Sequence, residues 1–301
     1  MPLAMAGALA LLTGAAASVQ VAPSAAPAAP LEREIVVVGQ RGQDQRIRTF
    51  VDALALPSAK DQLGRAEDGI CPRSFGFSEA DNRAFAQRMR RLAQAAGVPT
   101  AAQDCRPNVL VLVVADKKAA IEHWRIKRPD FFDGLEQRQI RALANGEGPV
   151  AAWQIVHVKG EGRRSIGRDT SGINDHYLLS EVWPSRLGKR IQLEFFASFV
   201  VIEASALGNA DLVQLADYAA MRTFANTDPA AAAAQPVPTI LWLFDDTLEE
   251  EAPLSVSHWD LAFLKGLYAT KPAASAAQQQ RAVAREVLDD LGRDPERTAK
   301  D

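Results

Sequence analysis

The sequence predicts an α+β protein in which helices cover a mixed sheet, and three observations support this fold class. Apolar residues recur at helical spacing in several segments, the clearest of which begins at Ser78. Apolar runs without alternation, such as residues 109–114, are typical of buried strands. The 301 residues are 48% hydrophobic and 24% charged, which is a globular composition and long enough for one large core.

Residues 1–33 differ in composition from the rest of the chain. Residues 1–20 carry no charge and have an apolar centre followed by small residues, as in a secretory signal with its cleavage site. Residues 21–33 are rich in Pro and Ala and predict an extended linker. No Lys or Arg precedes the apolar run, although secretory signals usually begin with positive charge. The alternative to a cleaved signal is an uncleaved helix or a membrane span, which the high Ala content of the run disfavours. We expect a periplasmic or secreted protein without a membrane span once the leader is removed.

The folded part is predicted as a single domain over residues 34–270, followed by a helical tail over residues 271–301. Residues 34–41 form a β-branched run closed by Gly and Gln-Arg, which predicts a strand that opens the domain. The same run resembles a short segment near the mature N-terminus of TonB-dependent outer-membrane receptors. The rest of the chain lacks the many alternating segments of such a barrel.

Two cysteines, Cys71 and Cys105, follow the leader. An exported protein matures in an oxidising compartment, so this even number predicts a disulfide that would stabilise the fold by ~3 to 4 kcal/mol. Zinc is the weaker interpretation, because two cysteines this far apart with no neighbouring His lack the paired spacing of zinc ligands.

Helix and strand boundaries are predicted from capping residues and apolar runs. Ser78 caps a helix that ends at Gly97, and its Arg83, Arg88, Arg90 and Arg91 are expected on the solvated face. Further strands are expected at 152–158 and 191–203, separated by an exposed polar loop over 160–175. The remaining predicted helices begin at Asp116, Asp211 and Ser257, and a last one runs from Ala274 to Leu291 with Gly292 as its stop. In the Asp211 helix, Leu212, Leu215, Ala216, Ala219, Ala220 and Phe224 share the apolar face, and Gln214, Tyr218 and Arg222 are expected to point away from it.

The charge balance disfavours nucleic acid as a partner. The formal net charge is −3 with a pI near 5.9, so there is no overall positive charge to neutralise phosphates. Residues 249–251 are three consecutive glutamates and predict a solvated acidic loop.

The last third resembles the closing portion of zincin-type metalloproteases. The segments that carry the resemblance are the helix 211–225, Pro-Thr-Ile-Leu-Trp-Leu-Phe at 238–244, and Pro253-Leu254-Ser255 before His258-Trp259-Asp260. In that family a His-Glu-x-x-His helix is followed by a tight turn and by a final helix that opens with Leu-Ser-x-x-Asp. The ending also resembles that of a group of uncharacterised exported proteobacterial proteins.

This chain departs from the zincin pattern at the metal ligands. The corresponding helix reads Leu215-Ala216-Asp217-Tyr218-Ala219-Ala220, and no histidine occurs between His176 and His258. The resemblance therefore implies the fold without its zinc centre, and no cofactor or metal is predicted.

The other candidate residues are scattered. His123, His157 and His258 are interpreted as packed or surface residues, whereas His176 lies in the long polar loop, where function often resides. Asp217 at the edge of an apolar helix face is a candidate acid or base, with a hydrogen bond to Arg or backbone as the simpler interpretation.

Two functional hypotheses follow from the sequence. The first is a non-catalytic exported protein with a metal-free zincin-like domain that binds an unknown protein or cell-envelope ligand. The alternative is a secreted hydrolase of non-zinc chemistry, with Asp217, His176 or a serine at its centre. A third possibility is a TonB-linked role through residues 34–41.

Overall fold

The computed structural model describes residues 40–58, 60–160, 168–169, 176–177 and 191–293. All of them belong to one compact unit, Val38–Asp301. The predicted leader, the linker, residues 34–39 of the predicted first strand and most of the predicted 160–175 loop lie outside the described residues.

Within the described residues the chain forms eight α-helices. They are α1 (Gln40–Leu54), α2 (Glu79–Ala96), α3 (Lys117–Lys127), α4 (Gln137–Asn145), α5 (Leu212–Phe224), α6 (Pro229–Ala233), α7 (His258–Ala269) and α8 (Ala276–Arg293). Short 3-10 helices lie at Pro129–Phe132, Ala204–Ala206, Ile240–Phe244 and Glu249–Glu251.

The main sheet has four strands in the order β1-β2-β6-β3. They are β1 (Pro72–Phe75), β2 (Val109–Val114), β3 (Val150–Gly160) and β6 (Ile191–Glu203). Strands β1, β2 and β6 are parallel, and β3 runs antiparallel to β6 at one edge. A separate two-residue pair joins β4 (Arg168–Asp169) to β5 (His176–Tyr177). The sheet is therefore mixed, as predicted.

Helices cover both faces of the sheet, because side chains alternate along each strand. On one face, Val200 and Ile202 of β6 join the large core formed with α1, α2, α5, α7 and α8. On the other face, Phe199 and Val201 pack with Trp153 and with residues of α3 and α4. This arrangement confirms the predicted α+β fold class with a mixed sheet and covering helices.

The predicted disulfide joins Cys71, which is the residue before β1, to Cys105 in the loop before β2. Arg90 of α2 lies beside it, with Nη2 3.0 Å from the Cys105 sulfur and Nη1 donating to the Ala101 carbonyl at 2.6 Å. The bond therefore ties the start of the sheet to the loop that follows α2.

Local capping chemistry was predicted correctly at four helices. Ser78, Asp116, Asp211 and Ser257 each accept a hydrogen bond from the backbone N–H three residues later. Gly97 ends α2 in the left-handed region, at φ 74°, which glycine adopts without strain.

Several sequence predictions were wrong. Gln40 and Arg41 begin α1 instead of ending a strand. Gly292, the predicted stop, lies inside α8, whose described bounds end one residue later at Arg293. Of the α2 arginines expected in solvent, Arg88 reaches a buried carboxylate and Arg90 reaches the disulfide loop.

Helix α8 packs against both α7 and α1, and its Val283 and Val287 are fully buried. Gly266 of α7 faces Val283 at the crossing, where an added Cβ would lie 3.1 Å from the Val283 backbone. None of the helices in the described ranges is long and apolar enough to cross a membrane.

Candidate binding site at the sheet edge

Strand β3 is the long edge strand of the sheet, and among the described residues β6 is its one neighbouring strand. An edge strand presents a row of backbone N–H and C=O groups that a further chain can pair with. The hydrogen bonds of β6 show in which direction the backbone N–H and C=O groups of each β3 residue point.

The Ser198 N–H donates to the Asn108 carbonyl on the β2 side of β6, so the backbone groups of Ser198 point away from β3. Ser198 lies opposite Gln154, and these two residues therefore form a pair without hydrogen bonds between them. At the other end, Glu203 N–H donates to the Pro149 carbonyl at 3.0 Å. The backbone groups of the odd-numbered residues in this part of β3 therefore bond to β6. The backbone N–H and C=O groups of Val150, Ala152 and Gln154 point outwards, away from the sheet.

In the described part of the chain, no backbone group outside β3 pairs with the outward groups of Val150, Ala152 and Gln154. Three N–H donors and three C=O acceptors thus form a regular, open ladder. Natural edges are commonly blunted by bulges and lysines. Both devices occur here beyond Ile155, where a bulge follows Ile155 and Lys159 pairs with buried Glu194. The open part of the edge is therefore residues 150–154.

Helix α5 lies beneath this edge. The Gln154 side-chain amide donates to the Arg222 carbonyl at 2.8 Å, and the Ser198 hydroxyl donates to the Thr223 carbonyl at 3.0 Å. These two bonds satisfy carbonyls in the last turn of the helix, which have no partner inside it. They also fix the end of α5 against β3.

Helix α5 is buried nearly all round, which corrects the predicted one-sided face. Gln214 and Tyr218 were expected to point away from the core, but they are 8% and 2% exposed. Gln214 completes the capping box with Asp211 and donates to the Pro253 carbonyl. Tyr218 packs edge-on against Phe244, with 4.8 Å between ring centroids.

Asp217 is fully buried and holds three segments together. Its carboxylate accepts two hydrogen bonds from Arg88 of α2, both at 2.6 Å. It also accepts from the Ser255 hydroxyl at 2.8 Å and from the Val256 N–H at 3.0 Å. Both oxygens of this carboxylate therefore accept hydrogen bonds from groups of the protein itself. The simpler interpretation of Asp217, a partner for Arg and backbone, is therefore the one that the structure shows.

Tyr218 and Arg222 form a second polar group on α5, one turn apart and on one face of the helix. The Arg222 Nη1 donates to the Tyr218 hydroxyl at 3.3 Å, and the guanidinium carbon lies 6.0 Å from the centre of the ring. The Arg222 Nε is buried and has no hydrogen-bond acceptor. This group contains unused donors and a positive charge.

The three histidines whose side chains the structure describes lie on different elements. His123 is exposed on α3, and His157 stacks on Phe196 with ring centres 4.2 Å apart. His258 opens α7, with Nε2 3.8 Å from a carboxylate oxygen of Asp290. His176 begins β5 opposite Asp169, and its side chain lies outside the described residues.

Asp260, predicted as the third residue of a capping box, is more deeply embedded than that motif requires. Its carboxylate accepts from Ser257 N–H, from the Thr239 hydroxyl and from Ile240 N–H. Burial, opposed by these hydrogen bonds, raises the pKa of Asp260 to about 6. Asp260 thus joins the start of α7 to the 3-10 helix at Ile240–Phe244.

In the ranges that the structure describes, no three residues among His, Cys, Asp and Glu are grouped so that they could hold a metal ion. The acidic residues 249–251 are exposed, in agreement with the sequence prediction.

Sequence reasoning did not identify the site at this edge. The i, i+4 spacing of Tyr218 and Arg222 was available as a signal, but both residues were placed on the solvated side of the helix. The open ladder at 150–154 had no signal of its own, because the position of a strand in a sheet depends on distant partners.

Comparison of this chain with family models, with curated proteins and with solved structures gives no match. The resemblance to zincins and to exported proteobacterial proteins therefore rests on the residues quoted for it.

Proposed function

We propose that this chain is a non-catalytic exported protein, periplasmic or secreted, that binds an extended polypeptide segment along the open edge of β3. The observation that carries the proposal is the outward ladder of Val150, Ala152 and Gln154. Addition of a strand to an exposed edge is a common way for a domain to hold an extended peptide, with backbone hydrogen bonds supplying affinity.

The order of elements supports the metal-free zincin-like part of this proposal. A mixed sheet with an antiparallel edge strand is followed by α5, by the 3-10 helix at Ile240–Phe244 and by α7 with its Ser257-Asp260 capping box. The 3-10 helix contacts α5 through Phe244 and Tyr218. These elements correspond to the helix, tight turn and final helix on which the resemblance rests.

The side chains of α5 support a binding role over catalysis. Asp217, the buried carboxylate on this helix, is occupied by Arg88, Ser255 and Val256. Tyr218 and Arg222 offer hydrogen-bond donors, and a guanidinium has no acceptor atom. The helix therefore offers groups that can hold and position a ligand.

The edge is tested with peptides selected from a displayed random library on the mature protein, followed by affinity measurements on two variants. Ala152→Pro removes an outward N–H that takes no part in the β3–β6 ladder, so the sheet remains paired. Ala152→Ser is the matched control, because it changes the same side chain and keeps the N–H.

We expect Ala152→Pro to weaken binding by about tenfold or more, the equivalent of one hydrogen bond together with the steric effect of the ring. Ala152→Ser should bind like the wild type. Equal affinity of all three proteins for the selected peptides would contradict docking at this edge.

The hydrolase alternative is tested separately with a general serine-hydrolase probe on the mature protein. Our proposal predicts no specific labelling. Stoichiometric labelling of one serine would overturn the non-catalytic part of the proposal and leave the edge measurement unaffected.

A further inference from the structure

We infer that Arg222 and Tyr218 bind a carboxylate group of the polypeptide segment that docks on β3. This inference rests on the proposed function, because it names the chemistry that the docked segment presents to the helix beneath the edge. It concerns the Arg222 Nε–H and the Tyr218 hydroxyl proton, for which the described residues provide no hydrogen-bond acceptor.

The positive charge of Arg222 has no counterion among the residues that the structure describes. In the described residues no Asp or Glu lies within salt-bridge distance of its guanidinium, whereas the guanidinium of Arg88 pairs with Asp217. Nη1 is engaged with the Tyr218 hydroxyl, whereas Nε is buried and lacks an acceptor. A buried donor left without a partner costs roughly 1 to 3 kcal/mol, which an incoming acceptor would recover.

Tyr218 adds a further donor at the same place. Its hydroxyl oxygen accepts from Arg222, and its own proton has no acceptor among the described residues. The ring is fixed, since it is 2% exposed and packs edge-on against Phe244. The hydroxyl is therefore held at one position beside the guanidinium.

These groups together require an anion with two acceptor oxygens. A guanidinium presents a planar fork that matches a carboxylate, and Nε with Nη2 is the fork whose donors are free. The Tyr218 hydroxyl can donate to the same carboxylate. A neutral amide would supply only one acceptor oxygen. Its NH₂ group would face the N–H and O–H donors of Arg222 and Tyr218, with which it cannot form hydrogen bonds.

The position of Arg222 relates this site to the edge. Gln154, one of the three outward residues of β3, donates through its side chain to the Arg222 backbone carbonyl. A segment paired with Gln154 thus runs beside the last turn of α5. Its carboxylate is either the C-terminal group or the side chain of Asp or Glu, and both sources present the same chemistry.

The site is first tested with acetate alone, independently of any peptide. The probe is the ¹H–¹⁵N resonance of the Arg222 Nε–H, assigned by its absence in Arg222→Lys and followed through a titration with acetate against chloride at constant ionic strength. We expect a saturable shift in the wild type and in Arg141→Lys, a control at an exposed arginine of α4.

Tyr218→Phe removes the hydroxyl and keeps the ring, so it tests the second donor without leaving a cavity. We expect its acetate affinity to fall several-fold. An Arg222 resonance that does not shift, or shifts without saturation, would overturn the inference. Equal acetate affinities of Tyr218→Phe and the wild type would remove Tyr218 from it.

The selected peptides then identify the source of the carboxylate. Each is compared with its C-terminal amide and with versions in which Asp and Glu are replaced by Asn and Gln. We expect one of these peptide changes to weaken binding to the wild type about tenfold. The same change should have little effect on binding to the Arg222→Lys variant.

The two proposals fail in different ways. If carboxylate and amide forms bind equally well, the inference is overturned and edge docking stands. If acetate binds with saturation but no peptide depends on the Ala152 N–H, the Arg222 site stands and edge docking fails.

Discussion

The replacement of Asp217 by Asn should destabilise the protein strongly, because this change leaves the partly buried guanidinium of Arg88 without its anionic partner. Asp217 is 0% exposed and accepts four hydrogen bonds from Arg88, Ser255 and Val256. The side-chain NH₂ group of Asn would face the donors that now bond to the carboxylate, and two donors cannot form a hydrogen bond. Removal of one member of a buried ion pair costs about 3 to 5 kcal/mol.

The structure places the expected loss at the lower end of that range. The Arg88 side chain is 24% exposed, so water can solvate part of its charge once the carboxylate is gone. We therefore expect a loss of about 3 kcal/mol in the free energy of unfolding, and a fall of roughly 6 to 12 °C in Tm for a protein of this size.

Urea unfolding followed by far-UV circular dichroism measures this change, and the chain offers a matched control. Asp130 and Arg128 form a similar two-pronged pair, but their side chains are 62% and 53% exposed. Asp130→Asn should therefore cost less than about 1 kcal/mol. The double variant Arg88→Met with Asp217→Leu should recover most of the stability that Asp217→Asn loses, because neither charge remains buried.

Two results would refute this reasoning. A cost for Asp217→Asn as small as that of Asp130→Asn would show that the buried carboxylate is not holding the segments together. A double variant less stable than Asp217→Asn would show that the network contributes more than the pairing of its two charges.

Two other predictions concern stability and one concerns packing. Replacement of Cys71 and Cys105 by Ser should lower the free energy of unfolding by about 4 kcal/mol on the chain-entropy estimate, measured by urea unfolding; an unchanged midpoint would contradict it. The Asp260 carboxyl carbon should titrate by NMR with a midpoint near pH 6. Because this pKa is raised above the unfolded value of 3.8, the contribution of Asp260 to stability should be fully present below that value. It should fall by about 3 kcal/mol as the pH rises through 6, and a midpoint near 4 would contradict this. Gly266→Val should cost about 1 to 3 kcal/mol in thermal unfolding, because its side chain would meet the backbone at Val283; no loss of stability would show that α8 shifts freely.

The features predicted from sequence are those fixed by local chemistry. Ser78, Asp116, Asp211 and Ser257 each bond to a backbone N–H only three residues away, so the pattern of a few letters contains the whole interaction. Strand β2 was likewise placed at its observed bounds, because its uninterrupted apolar run lies entirely within the strand itself.

The features missed from sequence depend on distant partners or on a signal that was passed over. Ile47, Phe50, Val51 and Leu54 have helical spacing and are buried in α1, but the polar sequence around them concealed the helix. The end of α8 was predicted to within a residue or two, because Gly292 lies one residue before its described end at Arg293.

The candidate site was the least predictable part of the molecule. Asp217 was recognised as unusual, but its partner Arg88 lies 129 positions away and was assigned to solvent. Arg222 and Tyr218 were both expected to point away from the apolar face of their helix, yet the tertiary fold buries the ring and leaves the guanidinium without a counterion among the described residues.

Amide hydrogen exchange along β3 is the measurement that decides whether the edge is a docking site. In the free protein the N–H groups of Val150, Ala152 and Gln154 should exchange faster than those of Ala151 and Trp153, which bond to β6. With a selected peptide bound, we predict that these three amides become protected while Ala151 and Trp153 change little. Unchanged exchange at the three outward amides under saturating peptide would contradict the proposal that β3 accepts an added strand.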